Sequence, residues 1–404
     1  MEAVVFARQP IFDDRKRVEA YELLFRTPHG STANFQDGDH ATARVVVGAF
    51  VDVGLDRVVG EQPAFINCTR SLLTSDILCT LPPERVVLEI LEDVVIDEEI
   101  IRHVRRLKEQ GYRFALDDFE HRDDCEAILP LIDYIKLDVM ALGVDGVRDQ
   151  IAKLGRFRGT VVAEKVETQQ EQEACRDLGC HLFQGYYLQR PETIDGSSMP
   201  ASRQSILKLV ARVFDPDVGL PEIERIIASD VGLSFRVLRI INSAYYHMPR
   251  EVTSIRQAVS LLGLRFTRMW VSLIALADLG DAPAEIITGA CIRARMCQRL
   301  AEITGRQDTD PYYLSGLFSM LDAIVQRPLD DVVTDLPLTR EVHDALLGKT
   351  GPIGEALACV LSHEQGDWSG VRYDTLDERQ LQEAYMEALS WASQARDVLA
   401  VVSR

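Results

Sequence analysis

Eight short apolar runs, most of them separated by helical patterns, constrain the first half of this 404-residue chain more than any other feature. They cover residues 4–7, 18–25, 64–67, 86–90, 114–117, 134–138, 160–164 and 181–184. Helical spacing fills the gaps, for example over 97–110 and over 167–178, where Gly179 reads as a cap. Strands that alternate with helices pair in parallel and are covered on both faces, and eight of them suggest a closed barrel. Only the first connection, through Asp13-Asp-Arg-Lys-Arg17, is too short for a crossover, so the barrel is expected to begin with an antiparallel hairpin.

The strand ends carry polar groups: Asn67, Glu89, Asp117, Asp118, Lys136, Asp138, Glu164 and Gln184. Barrels of this kind do their chemistry at the C-terminal ends of the strands, and stability alone gives little reason for such groups there. The run Phe114-Ala-Leu-Asp-Asp-Phe119 is the sharpest case, an apolar strand ending in two adjacent carboxylates. Buried carboxylates cost several kcal/mol each unless paired, and neighbours repel. A divalent cation relieves both costs, and hard oxygen ligands suit magnesium, manganese or calcium. The alternative is a pair of acids facing water.

A net charge of −19 opposes binding to nucleic acid or to an anionic membrane. The eight cysteines show no paired CxxC spacing, so neither a zinc site nor a disulfide framework is expected; buried thiols in a reducing cytoplasm are. The chain opens into a strand without a signal-like segment, and the longest apolar stretch, Met269 to Leu279, is short for a bilayer. The expectation is a cytoplasmic protein with no membrane insertion.

The second run ends Glu22-Leu-Leu-Phe-Arg26, which resembles the signature of EAL domains, the phosphodiesterases that open cyclic di-GMP, with leucine in place of the usual alanine. Six further motifs follow in the family's order. They are Phe65-Ile-Asn67, Leu88-Glu-Ile-Leu-Glu92, Asp117-Asp118-Phe119, Ile135-Lys-Leu-Asp138, Ala163-Glu-Lys-Val-Glu-Thr168 and Gln184-Gly-Tyr186. The resemblance covers residues 1–192 and implies a TIM-like barrel of EAL type. Carried over residue by residue, it implies Mg2+ or Mn2+ on Glu22, Asn67, Glu89 and Asp117, with Asp118 and Glu164 serving a second cation or the attacking water. Lys136 would stabilise phosphate charge, and Glu167 and Gln184 would support the ligands. Gln9, Arg26 and Asp138 would join Gln184 in meeting the dinucleotide, Arg26 as a bidentate phosphate contact.

Two departures bear on turnover. The family's glycine after DDF is replaced by Glu120-His-Arg-Asp-Asp-Cys125; glutamate tolerates a positive φ poorly, so the loop is expected to run differently. Lys165 replaces the glycine of AEGVET. Strand alternation points its side chain away from Glu164, whereas a bend would bring its ammonium into the space of a second cation. His121 reads as an exposed loop histidine, with a replacement acid or base as the alternative.

Turn formers over 193–201 mark a linker, and the remainder, 202–404, reads as all-α. Helical spacing appears over 202–214, 220–229, 233–243, 255–262, 264–279, 283–304, 310–326, 338–347, 352–364 and 376–398. The segments Ile226-Ile-Ala-Ser-Asp230, Leu238-Arg-Ile-Ile-Asn-Ser243 and Ser254 to Gly263 resemble an HDOD domain, a helical fold related to HD phosphohydrolases but lacking their metal residues. His343-Asp344 has no second pair, so His343 reads as a helix-surface residue, and Asn242-Ser243 as a helix end that holds the next loop. Three functions fit: a cyclic di-GMP phosphodiesterase, a cyclic di-GMP receptor without turnover, or a scaffold that binds no nucleotide. The HDOD half would regulate the enzyme or relay its state in the first, deliver the signal to a protein partner in the second, and belong to the scaffold in the third; the resemblance admits a homodimer.

Overall fold

The computed structural model describes residues 5–26, 54–121, 125–155, 157–185, 201–243, 245–248, 250–279, 283–325 and 327–402. Two compact units emerge, Met1–Gln189 with His363–Trp368 and Arg190–Ser362 with Ser369–Arg404. The expected linker at 193–201 lies, except for Ala201, outside the described residues.

The first unit is a closed barrel with strands in sequence order. They are β1 (Val5–Asp13), β2 (Val18–Arg26), β3 (Ala64–Cys68), β4 (Val86–Ile90), β5 (Arg113–Leu116), β6 (Tyr134–Asp138), β7 (Thr160–Glu164) and β8 (Leu182–Phe183). As expected from the short first turn, β1 runs antiparallel to β2; it is also antiparallel to β8, and every other pair is parallel. Around the barrel lie α1 (Leu55–Val59), α2 (Arg70–Thr74), α3 (Glu98–Glu109), α4 (Val139–Leu154) and α5 (Gln169–Asp177). Local chemistry sets their ends. Asp97 caps α3 by accepting from the Ile100 N–H, and a reciprocal Thr168–Glu171 capping box starts α5. The interior is floored by a layer with one residue from every strand: Ile11, Ala20, Phe65, Val87, Ala115 and Val162, with Tyr134 and Leu182 packed against them.

The second unit is helical. The two helices expected over 255–262 and 264–279 are both present within Ile255–Ala277, separated by a break at Gly263, whose φ of 75° is open to glycine. The run expected over 310–326 is split into Asp310–Phe318 and Leu321–Val325, and Leu329–Thr334, after Pro328, adds a helix the sequence pattern did not suggest. Ile255–Ala277 is long and apolar enough to cross a membrane by length and composition, and 67% of its most apolar stretch is buried inside the structure. Trp270 sits in that core and donates to the Tyr246 hydroxyl at 2.6 Å. Asn242 ends its helix as expected: its amide donates to the Val252 carbonyl and accepts from the Val252 N–H, both at 2.8 Å, which fixes the intervening loop.

Candidate functional site

Side chains two residues apart on a strand share a face. In the parallel part of the barrel, each position two residues beyond the apolar floor is polar. Ala20 is followed by Glu22, Phe65 by Asn67, Val87 by Glu89, Ala115 by Asp117, Tyr134 by Lys136, Val162 by Glu164 and Leu182 by Gln184. In β1, which runs the other way, Gln9 lies two residues before Ile11 and pairs across the ladder with Glu22. Alternation therefore lifts eight polar side chains, one per strand, into a single ring above the floor. Pairing aligns Asn67 with Glu89, and Asp138 with Glu164.

Lys136 sits in the middle of this ring, 1% exposed. Its ammonium is 3.2 Å from Glu22, 3.0 Å from Asp117 and 2.7 Å from Glu164, and it is in ion contact with Glu89. Gln184 braces the cluster, donating to Glu22 at 2.7 Å and to Gln9 at 3.0 Å, while the Asn67 amide donates to Glu22 at 3.2 Å. One cation thus ties four carboxylates, which accounts for their tight approach without cancelling their charge.

Burial and mutual repulsion set the protonation of these acids. Burial, reinforced by the charges of Glu22, Asp117 and Glu164, pushes Glu89 far above the usual carboxylate range, although Lys136 opposes it. Burial also raises Asp117, and it raises Glu164 to about 8, again against Lys136. Glu22 goes the other way: burial raises it, but the Lys136 charge and hydrogen bonds from Gln184, Lys136 and Asn67 hold it below the usual range. Burial works against the charged form of Lys136, yet the surrounding carboxylates keep it charged far above its ordinary value.

Strand geometry gives way just beyond β7. Lys165 has a φ of 51°, so its side chain does not follow the alternation that would point it away from Glu164. Its ammonium instead contacts the Asp138 carboxylate and lies 3.8 Å from Asp118. The expected outward orientation is corrected: the backbone bends at Lys165 and turns its ammonium to Asp138 and Asp118. Asp138, anticipated as a dinucleotide contact, is engaged twice, by Lys165 and as the cap that accepts from the Ala141 N–H at 2.9 Å. Asp118 also has a positive φ, of 38°, which ends β5 one residue before the expected Asp117. The left-handed step of the DDF turn thus falls on Asp118, and Glu120 is not among the positive-φ residues.

Glu167 is exposed and lines the cleft over the ring, together with Gln9, Glu22, Asp117, Asp118, Lys136, Glu164, Lys165 and Gln184. Arg26 ends β2, but its side chain lies outside the described residues, as do Arg122–Asp124 and Tyr186. His121 is half-buried rather than exposed; its backbone N–H donates to Gln150 at 2.9 Å, and its ring meets Phe119 edge-on at 6.4 Å. Sequence patterns did not show a neighbouring cavity of about 380 Å³, lined by Ile90, Val94, Leu116, Phe119 and Cys125 with Asp117, Asp118 and Asp138 on its wall. It is built by loops from separate strands, which leave no periodic trace.

The residues fit a divalent cation. Asn67 Oδ1, both oxygens of Glu89, Asp118 Oδ1 and Gln184 Oε1 are buried without a hydrogen bond, although Lys136 is in ion contact with Glu89. Among the described residues, six carboxylates (Glu22, Glu89, Asp117, Asp118, Asp138 and Glu164) are matched by two ammonium groups, those of Lys136 and Lys165. Every free donor is a hard oxygen. Among the described residues, the one compact cluster of metal-binding side chains is Asp117, Asp118 and Glu164, with ligand atoms within 4.8 Å of one another. The helical unit contributes no such cluster among the described residues, and His343 is half-exposed beside Asp344 at 3.9 Å.

A parallel barrel with an acidic ring at its mouth, joined to a helical unit, defines a class. The EAL domain model matches residues 60–191, and the HDOD domain model matches residues 199–326. The chain is 32% identical to the uncharacterized protein YuxH of Bacillus subtilis, over 98% of this chain and 99% of that one. It is also 32% identical to the cyclic di-GMP phosphodiesterase CdgJ of Vibrio cholerae, over 96% of this chain and 91% of that one. The chain belongs to the EAL–HDOD family. The solved manganese and cyclic di-GMP complex of Klebsiella pneumoniae BlrP1 is 24% identical, covering 46% of this chain and 55% of that one, with a TM-score of 0.38.

Proposed function

We propose that the barrel binds cyclic di-GMP across its acidic rim and hydrolyses one phosphodiester bond to give pGpG, with Mg2+ or Mn2+ held by Glu22, Asn67, Glu89 and Asp117. The observation that carries this reading is the ring itself: four carboxylates converge on Lys136, with ligand oxygens left unpaired. Full-length likeness to a cyclic di-GMP phosphodiesterase supports it.

A bound divalent ion supplies a Lewis acid that draws charge from the phosphate and lowers the pKa of water. The chain's own residues do the rest. Water adds to phosphorus as the P–O3′ bond breaks, and O3′ takes up a proton from solvent to become the free 3′-hydroxyl of pGpG, whose 5′-phosphate is retained. Glu164 accepts the proton released by the water, its buried carboxyl being poised near neutral pH. Lys136 holds the four acids at a fixed spacing and offsets charge gathering on the phosphoryl oxygens. Gln184 and Gln9 orient Glu22 and border the cleft where the dinucleotide lies. The neighbouring cavity, apolar on one side, suits the flat face of a guanine.

Incubation with cyclic di-GMP and Mn2+, followed by chromatography, is expected to yield pGpG; unchanged cyclic di-GMP would overturn the turnover step. Lys165 favours a second reading, binding without turnover, because it occupies Asp138 and approaches Asp118. Calorimetry separates the two: heat without pGpG selects the receptor, and no heat with or without Mn2+ leaves a scaffold. In either active reading the helical unit passes the state of the barrel to a protein partner or a second copy of the chain. Exposed Val231, Phe235, Leu261 and Phe266 in that unit support this. The eight cysteines are not joined in disulfides, which suits action in the cytoplasm.

A further inference from the structure

We propose that Lys165 fills the place of a second cation with its own ammonium, so that the rim takes up one divalent ion. This rests on the reading of the rim as a cation site. Lys165 holds a left-handed φ of 51°, which is unfavourable for a residue with a Cβ and persists when surrounding contacts over-determine it. Those contacts are present. The ammonium pairs with Asp138, which is itself anchored as the cap of α4, and it stands 3.8 Å from Asp118. Asp118 belongs to the compact Asp117–Asp118–Glu164 cluster, so an ion held by all three would lie against the same ammonium.

Like charges a few ångströms apart at a partly buried site repel strongly. Asn67, whose Oδ1 has no hydrogen bond, and Glu89 lie at the ends of β3 and β4, where with Glu22 and Asp117 they form an oxygen set that meets Lys136 rather than Lys165. A single ion is placed there. The Asp118–Asp138 side is neutralised from within the chain, by a charge that cannot dissociate.

The test is a Mn2+ titration of the full chain after chelator treatment, read by electron paramagnetic resonance. The wild type is expected to bind one Mn2+ per chain with an uncoupled six-line spectrum. Lys165→Gly removes both the charge and the strain, and Lys165→Gln removes the charge while keeping the length. Each is expected to bind a second Mn2+ at least about tenfold more tightly than the wild type does, with exchange coupling between the ions. Two coupled ions in the wild type would overturn the inference and leave the rim as a cation site. So would a single ion in both variants when circular dichroism shows them folded. No Mn2+ bound by any form would overturn the cation site, and this inference with it.

Discussion

The Lys136 ammonium is in ion contact with Glu89, and the two side chains are 1% and 0% exposed. No solvent screens this pair, and the same ammonium serves Glu22, Asp117 and Glu164. Removing one partner of a buried pair costs about 3–5 kcal/mol because the other charge is stranded. Lys136→Met is therefore expected to destabilise the metal-free barrel by about that amount, as measured by urea unfolding followed by circular dichroism. On the proposed reading of the folded ring as a cation site, Mn2+ at a hundredfold excess over its dissociation constant should restore about 2.7 kcal/mol. A variant as stable as the wild type without metal would show that Lys136 does not hold the acids together.

Glu164 gives the ring a pH dependence of definite sign. Its carboxyl is raised from 4.5 to about 8 in the folded state, so the folded chain holds that proton more tightly than the unfolded one. The stabilising contribution is complete below pH 4.5 and disappears as pH rises through 8. Glutamine at this position mimics the protonated acid at every pH. Calorimetric melts of the metal-free proteins at pH 5, 7 and 9 should show Glu164→Gln gaining on the wild type as pH rises. A divalent ion held beside Glu164 favours its charged form, so wild-type Mn2+ affinity should climb over this range, with proton release on binding. A stability difference that does not change with pH would contradict a raised Glu164.

The loop after the double aspartate carries a different expectation from the one its sequence suggests. Where a glycine is usual, Glu120 stands, but the positive φ belongs to Asp118. Glycine at position 120 would gain no conformational relief, and it adds backbone entropy worth about 0.5–1 kcal/mol against folding. Glu120→Gly should leave pGpG formation within about twofold of the wild type, since the acidic ring is untouched. A tenfold rise would assign the loop a direct part in turnover.

The ring was legible in the sequence because two periodicities coincide. A two-residue alternation carries Val87 to Glu89 and Val162 to Glu164, and the strand–helix alternation brings those ends to one rim. What the sequence could not show is where alternation stops. At Lys165 the backbone turns left-handed one residue past β7, and a lysine read as outward-facing reaches Asp138 instead. Asp118 is a similar case, since with its φ of 38° the strand β5 stops at Leu116, one residue short of the Asp117 expected from the sequence. In the helical unit, the break at Gly263 was marked by the glycine itself, and the backbone is non-helical there. Lys136 was recognisable as a strand-end lysine, yet its contact with four carboxylates is set by barrel closure, to which no local pattern refers.

Gly185 provides a test of how Gln184 is positioned. It adopts a φ of 153°, and a Cβ there would meet the Val166 N and O atoms at 2.4 Å, both of them backbone. The same stretch is joined by the Val166 N–H donating to the Gln184 carbonyl at 3.1 Å. Alanine at 185 must push these strand ends apart and carry the Gln184 amide away from Glu22 and Gln9. Overpacking of this kind costs about 1–3 kcal/mol. A shift of 1 Å in a positioned group can lower activity by as much as about a hundredfold. Gly185→Ala is therefore expected to weaken Mn2+ and cyclic di-GMP binding by about tenfold or more. Gly179→Ala is the control: its φ of 102° is also unfavourable for alanine, but no atom lies within 4 Å of the added Cβ. It should lower the melting temperature while leaving both affinities unchanged. Equal losses of affinity in the two variants would show that backbone strain, rather than displacement of Gln184, governs the rim.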